Sequence, residues 1–220
     1  MNKITWEKDK LWQGCILASI AHAINVAHYP DTANEHSWDG FNYNVQDSAG
    51  SRGTITFHPN YVVCAFRNNE SERIKEFKDA LVYFTDAPKE VKTLALNETL
   101  QYLLDDIEGS IIPVITTAFW GDGDDLYSSD KEEELKENGG FLLETQTRDI
   151  KISIDKWKKE FEMSVSQINL IMSIFNRKLK SPSENIYLTN EEINIIGTDD
   201  EEGLNESKIS FSEFGVLWGD

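Results

Sequence analysis

From Cys15 to Ala27 the chain carries only three polar side chains, Ser19, His22 and Asn25. No other stretch limits the fold so strongly. It falls short of the roughly 20 apolar residues that a membrane-spanning helix needs, and it is too apolar to lie in water. What remains is a helix sunk in a protein core. Trp12, Ile16, Ile20 and Ile24 recur at every fourth position, with Leu17 and Ala27 widening the stripe. This spacing predicts a helix over 11–28, closed by Pro30 and weakened in its first turn by Gly14.

The next constraint is a run of β signals. Phe41 to Val45 alternates large apolar with polar residues, 48–53 reads as a turn, and Thr54 to Phe57 alternates again. After His58-Pro59-Asn60, the unbroken apolar run Tyr61 to Phe66 fits a strand buried on both faces. Three such strands in succession make an antiparallel meander. Further on, Ile74, Phe77, Leu81 and Phe84 follow a capping signal at Asn69–Glu72. Asn97 and Gly109 bracket a helical pattern at Leu100–Leu104, and Pro113 places Ile111–Ile115 at a sheet edge. The segment 120–140 reads as a long acidic loop with a short helix over 131–137, and Phe141–Leu143 as a restarted strand. Two helices carry Ile154, Trp157 and Phe161, then Ile168, Ile171, Met172 and Phe175. The second of these is opened by Ser164 and Gln167, and Thr189–Glu192 opens another, shorter one. The expected fold is α+β: an N-terminal helix packed on an antiparallel meander of at least three strands, with a predominantly helical C-terminal half. One domain over 1–220 is expected, with a composition shift near Trp120 marking a sub-boundary between 1–120 and 121–220.

Charge narrows the function. The chain has 21 basic and 39 acidic residues, a net of −18. The excess is concentrated: −6 over 122–137 and −8 between Lys180 and Lys208, against only +4 over 151–180. A field of this sign repels nucleic acid and anionic lipid and attracts cationic protein surfaces. Asp122, Asp124, Asp125, Asp199, Asp200, Glu201 and Glu202 are the candidate binding residues. Trp38, Asp39 and Tyr43 join them as an aromatic contact segment.

Catalysis has a narrower basis. Gln13-Gly14-Cys15 at the start of an apolar helix resembles the papain-like thiol hydrolases, in which a helix N-terminus lends thiolate character to the cysteine. The resemblance covers three adjacent residues and implies Gln13 for the oxyanion, Cys15 as nucleophile, His36 or His58 as base and Asp47 as orienting carboxylate. In those enzymes the glutamine lies several residues before the cysteine and the histidine much further downstream than His36. Cys15, Ser19 and His22 share one helical face. Asp122-Gly123-Asp124-Asp125 lacks the glycine that a calcium loop needs at its sixth position, so no metal or cofactor is expected. Cys15 and Cys64, set among apolar neighbours, are expected as buried thiols. The N-terminus lacks a secretory cleavage pattern, which places the chain in the cytoplasm.

These readings converge on a non-enzymatic binding or inhibitory protein for a cationic protein partner, of the bacterial immunity or anti-toxin kind. The alternatives are a Cys15-dependent hydrolase or transferase, and a structural subunit docking through Phe211, Phe214 and Trp218. The oligomeric state is left open.

Overall fold

The computed structural model describes residues 1–76 and 78–219. From the N-terminus the chain makes strand β1 (Asn2–Ile4), helix α1 (Lys8–Val26) and strand β2 (His36–Asp39). The meander follows as β3 (Asn42–Gln46), β4 (Arg52–Phe57) and β5 (Tyr61–Arg67). Helix α2 (Lys89–Asn97) precedes two hairpins, β6 (Leu104–Ile107) with β7 (Ser110–Pro113), and β8 (Thr117–Asp122) with β9 (Asp125–Ser128). Helices α3 (Glu132–Glu137), α4 (Ile150–Glu160) and α5 (Val165–Lys180) come next. Strand β10 (Ile186–Leu188), helices α6 (Asn190–Ile196) and α7 (Glu201–Glu213), and strand β11 (Val216–Trp218) complete it. The fold is α+β, with an N-terminal helix, an antiparallel sheet and a helical C-terminal half.

By internal packing the chain divides into two compact units, each drawn from separate stretches of sequence. The first is 1–11 with 41–144, and the second is 12–40 with 145–220.

In the first unit β1, β9, β8, β5, β4 and β3 lie side by side in that order, each antiparallel to its neighbour. Strand β5 is central. Its Val62 to Phe66 are buried on both faces, as the apolar run predicts, and Cys64 sits opposite Ile55 on one side and Phe119 on the other. One face of the sheet, with Val63, Ala65, Ala118 and Trp120, packs on Phe84, Val91, Ala95, Leu100 and Leu103. Thr56 donates to Asn42 Oδ1 at 2.7 Å, and Asp130 takes hydrogen bonds from Arg73 and Thr117, both at 2.6 Å.

Several local expectations change here. The segment 120–140 is not one long loop: Trp120 lies in β8, and Gly123-Asp124 is the two-residue turn of the β8–β9 hairpin, with Gly123 at φ +68°. Gly109 does not stop a helix. Glu108 (φ +53°) and Gly109 (φ +84°) form the tight turn joining β6 to β7, a backbone pairing both dihedrals favour. Asn97 ends α2 rather than opening a helix, and 99–103 is a 3₁₀ turn. The helical pattern of Ile74, Leu81 and Phe84 takes the form of two 3₁₀ segments, Glu72–Glu76 and Ala80–Phe84, the second capped by Asp79; Phe77 lies outside the described residues. Gly140–Leu143 is 3₁₀, not strand.

The second unit is mostly helical. The capping boxes read from sequence are present: Ser164 with Gln167 opens α5, and Thr189 with Glu192 opens α6. The C-terminal tail is part of the structure. Val216–Trp218 pairs in parallel with Ile186–Leu188, and the Phe211 and Phe214 rings are buried 6.0 Å apart. Among the described residues no helix is long and apolar enough to cross a membrane.

Candidate functional site

Helix α1 does not present a stripe. Every residue from Cys15 to Ala27 is buried, so Ser19, His22 and Asn25 are interior as well. Within the second unit, partners reach Ser19 and the backbone of α1. The Ser19 hydroxyl donates to Cys15 O at 2.8 Å and accepts from the Trp38 indole N–H at 2.8 Å. Ser207 of α7 donates to Ala23 O at 2.7 Å. Two glycines allow backbone to touch backbone: a Cβ on Gly14 would meet Gln146 O at 1.9 Å, and one on Gly203 would meet Ala27 O at 2.1 Å.

The His22 and His36 rings lie 4.5 Å apart at 31°. Burial pulls the His22 imidazole down to about 4, against an opposing pull from the Ala33 and Thr32 backbones. Neither ring nitrogen of His22 completes a hydrogen bond of good geometry. Burial, with His22 beside it, holds His36 well below its ordinary value too. Next to this pair, Trp38 donates its backbone N–H to Glu213 Oε2 at 2.8 Å. Burial raises the Glu213 carboxyl, opposed by that hydrogen bond and reinforced by Asp39.

The residues proposed for thiol chemistry are distributed as follows. Cys15 is fully buried, and burial pushes its thiol well above the usual range. Among the described residues it has no hydrogen bond to an imidazole, and both Cys15 and Cys64 are buried thiols outside any disulfide. Gln13 and His36 share the second unit with it. His58 and Asp47 belong to the first unit, where they have local work. His58 Nδ1 accepts from Asn60 N and its ring stacks on Tyr61, while Asp47 holds the turn through Ala49 N and Ser51 N. The aromatic contact segment is also interior in part. Tyr43 is fully buried in β3 and Trp38 is 8 % exposed, which leaves Asp39 as its exposed member.

The acidic residues are where solvent can reach them. In the first unit, which carries 12 basic and 22 acidic residues for a net of −10, Asp122 and Asp124 are exposed around the β8–β9 turn. Neither is in an ion pair among the described residues, whereas Asp125 binds Lys3 at 2.6 Å. The Lys3 hydrogen bond lowers the Asp125 carboxyl. In the second unit, with 9 basic and 17 acidic residues for a net of −8, Asp199, Asp200, Glu201 and Glu202 are all exposed where α7 begins. Asp200 caps the helix by accepting from Glu202 N at 3.2 Å. Asp199, Glu201 and Glu202 have no ion pair among the described residues, and Arg177 of the preceding basic helix is committed to Glu192 at 3.0 Å.

One feature escaped the sequence reading: a pocket of about 190 Å³ between the end of α1 and the α4–α5 connection. Its walls come from residues 24–29 and 161–167, which no spacing rule links. The local signal that could have pointed to it is Asn25, an amide in an otherwise apolar helix end. Compared with protein families, with curated proteins and with solved structures, the chain matches none.

Proposed function

We propose that this protein acts by binding a cationic protein partner, a bacterial immunity or anti-toxin protein being one concrete form, and not by catalysis. One observation supports the reading. In each unit the exposed acidic run keeps carboxylates that no lysine or arginine neutralises among the described residues: Asp122 and Asp124 in the first, Asp199, Glu201 and Glu202 in the second. Helix capping accounts for Asp200 alone. Exposed charges of one sign accelerate encounter with an oppositely charged surface, and salt weakens the effect within a Debye length of about 8 Å at physiological ionic strength. The thiol reading has no comparable support, since a nucleophile needs access and a thiolate, and Cys15 has neither.

The test is the association rate with a basic protein encoded beside this chain. Between about 20 and 200 mM salt that rate is expected to fall roughly tenfold or more, with dissociation changing much less. Replacing Asp199, Glu201 and Glu202 with Asn, Gln and Gln, while leaving Asp200 to cap, should flatten the salt dependence. A rate insensitive to salt in the unaltered protein would remove the reading.

A further inference from the structure

We infer that the pocket at the C-terminal end of α1 receives a single basic side chain, a guanidinium or an ammonium, from the partner; this rests on the cationic-partner reading above. The first observation is Asn25. It is 7 % exposed, lines the pocket, and makes no side-chain hydrogen bond among the described residues. The amide opens onto the pocket, where its oxygen can accept from a donor that enters.

Glu162 supplies the charge. It lines the same pocket, is exposed, and forms no ion pair among the described residues. Its backbone is left-handed at φ +50°, a conformation that glycine adopts freely and glutamate does not. Glycine would relieve the strain but would delete the carboxylate, and strain kept at a cleft is a pointer to use. Tyr29 and Phe161 add two aromatic rings to the lining, suited to a cation over a ring face.

Helix α1 contributes in the same sense. It runs 19 residues and ends here with no basic residue in its last turn, so the negative pole of its dipole is uncompensated by its own side chains. Among the described residues no lysine or arginine lines the pocket. The His28 ring nitrogen Nε2 and the Gln167 amide both lie on Ile196 O, at 2.9 and 2.8 Å, and so form a fixed wall. A cavity of ~150 Å³ accommodates benzene, so about 190 Å³ holds one long side chain and little more. An anion would meet Glu162 and the wrong end of the helix dipole.

The probe is N-acetyl-arginine amide, with N-acetyl-citrulline amide as its uncharged isostere, titrated into the full chain while the Asn25 and Gln167 side-chain amides are followed by NMR. Saturable shifts of the Asn25 amide are expected with the arginine compound, and at least tenfold weaker binding with the citrulline compound. Glu162→Gly is the decisive variant because it should fold better, not worse: its melting temperature is expected to rise while arginine binding weakens at least fivefold. No shift at Asn25, equal binding of the two probes, or a Glu162→Gly protein that binds arginine unchanged or melts lower would overturn the inference. Salt-sensitive association with the basic partner, together with a silent Asn25, would discard the pocket and leave the broader reading standing. Saturable arginine binding with salt-insensitive partner association would leave a guanidinium site and discard the partner.

Discussion

Replacing Gly203 with alanine is expected to destabilise the protein by about 3 kcal/mol or more, opposite in sign to the ~1 kcal/mol gain that alanine brings to an exposed helix interior. The added methyl would lie 2.1 Å from Ala27 O and 2.8 Å from its carbonyl carbon, and both are backbone atoms that no rotamer change can move. Helix α7 must therefore withdraw. That lengthens the 2.7 Å hydrogen bond from Ser207 to Ala23 O and loosens the buried Ser210 and Phe211 that follow it. Gly14→Ala should behave alike, with its methyl 1.9 Å from Gln146 O. Denaturant unfolding of both variants measures this; a stability equal to or above the parent would show that α1 and its neighbours are not in backbone contact.

Acid is expected to weaken the protein through His22. Above pH 6.5 the ring is neutral whether the chain is folded or not, so it adds no pH dependence. As the pH falls from 6.5 toward about 4, the unfolded chain takes up a proton that the buried ring refuses. Stability is lost across that window, and the loss levels off below the folded-state value. At about 1.4 kcal/mol per pH unit the full loss is on the order of 3 kcal/mol, and His36, shifted the same way, adds to it. The comparison to make is parent against His22→Phe, which keeps a ring beside His36 and leaves the carboxylate titrations common to both. At pH 7 the two should differ by roughly 1 kcal/mol or less. At pH 4.5 the variant should have lost about 2 to 3 kcal/mol less than the parent. Equal losses in both proteins would clear His22 of any part in acid sensitivity.

What the sequence disclosed was local. Alternation at Phe41–Val45 and Thr54–Phe57, the apolar run at Tyr61–Phe66, and the paired caps Ser164–Gln167 and Thr189–Glu192 each act within a few residues, and each is present in the fold. The misses are long-range. Strands of three residues such as Ile186–Leu188 and Val216–Trp218 carry no periodicity and exist because each finds the other. The acidic residues around Gly123 masked a hairpin whose strand β8 is buried from Thr117 to Gly121. Helix α1 read as one-sided because its isoleucines fall four apart, yet its small and polar positions are equally enclosed by glycine and serine contacts more than a hundred residues distant in sequence. The same holds for the site: Asp199 to Glu202 were legible as exposed carboxylates, whereas Asn25 and Glu162 acquire meaning only where distant segments meet.

The enclosure of α1 sets a timetable on the ribosome. Ala23 is translated 184 residues ahead of Ser207, the residue that bonds its carbonyl. At roughly 5–20 residues per second that interval is on the order of 10 to 40 seconds. Throughout it, an almost wholly oily helix has left the exit tunnel without the segment destined to cover it. Such a nascent chain is a natural client for a holding chaperone. A circular permutant opened before Phe41 carries residues 1–40 to the C-terminal side, and it should shorten the wait and lessen aggregation during synthesis.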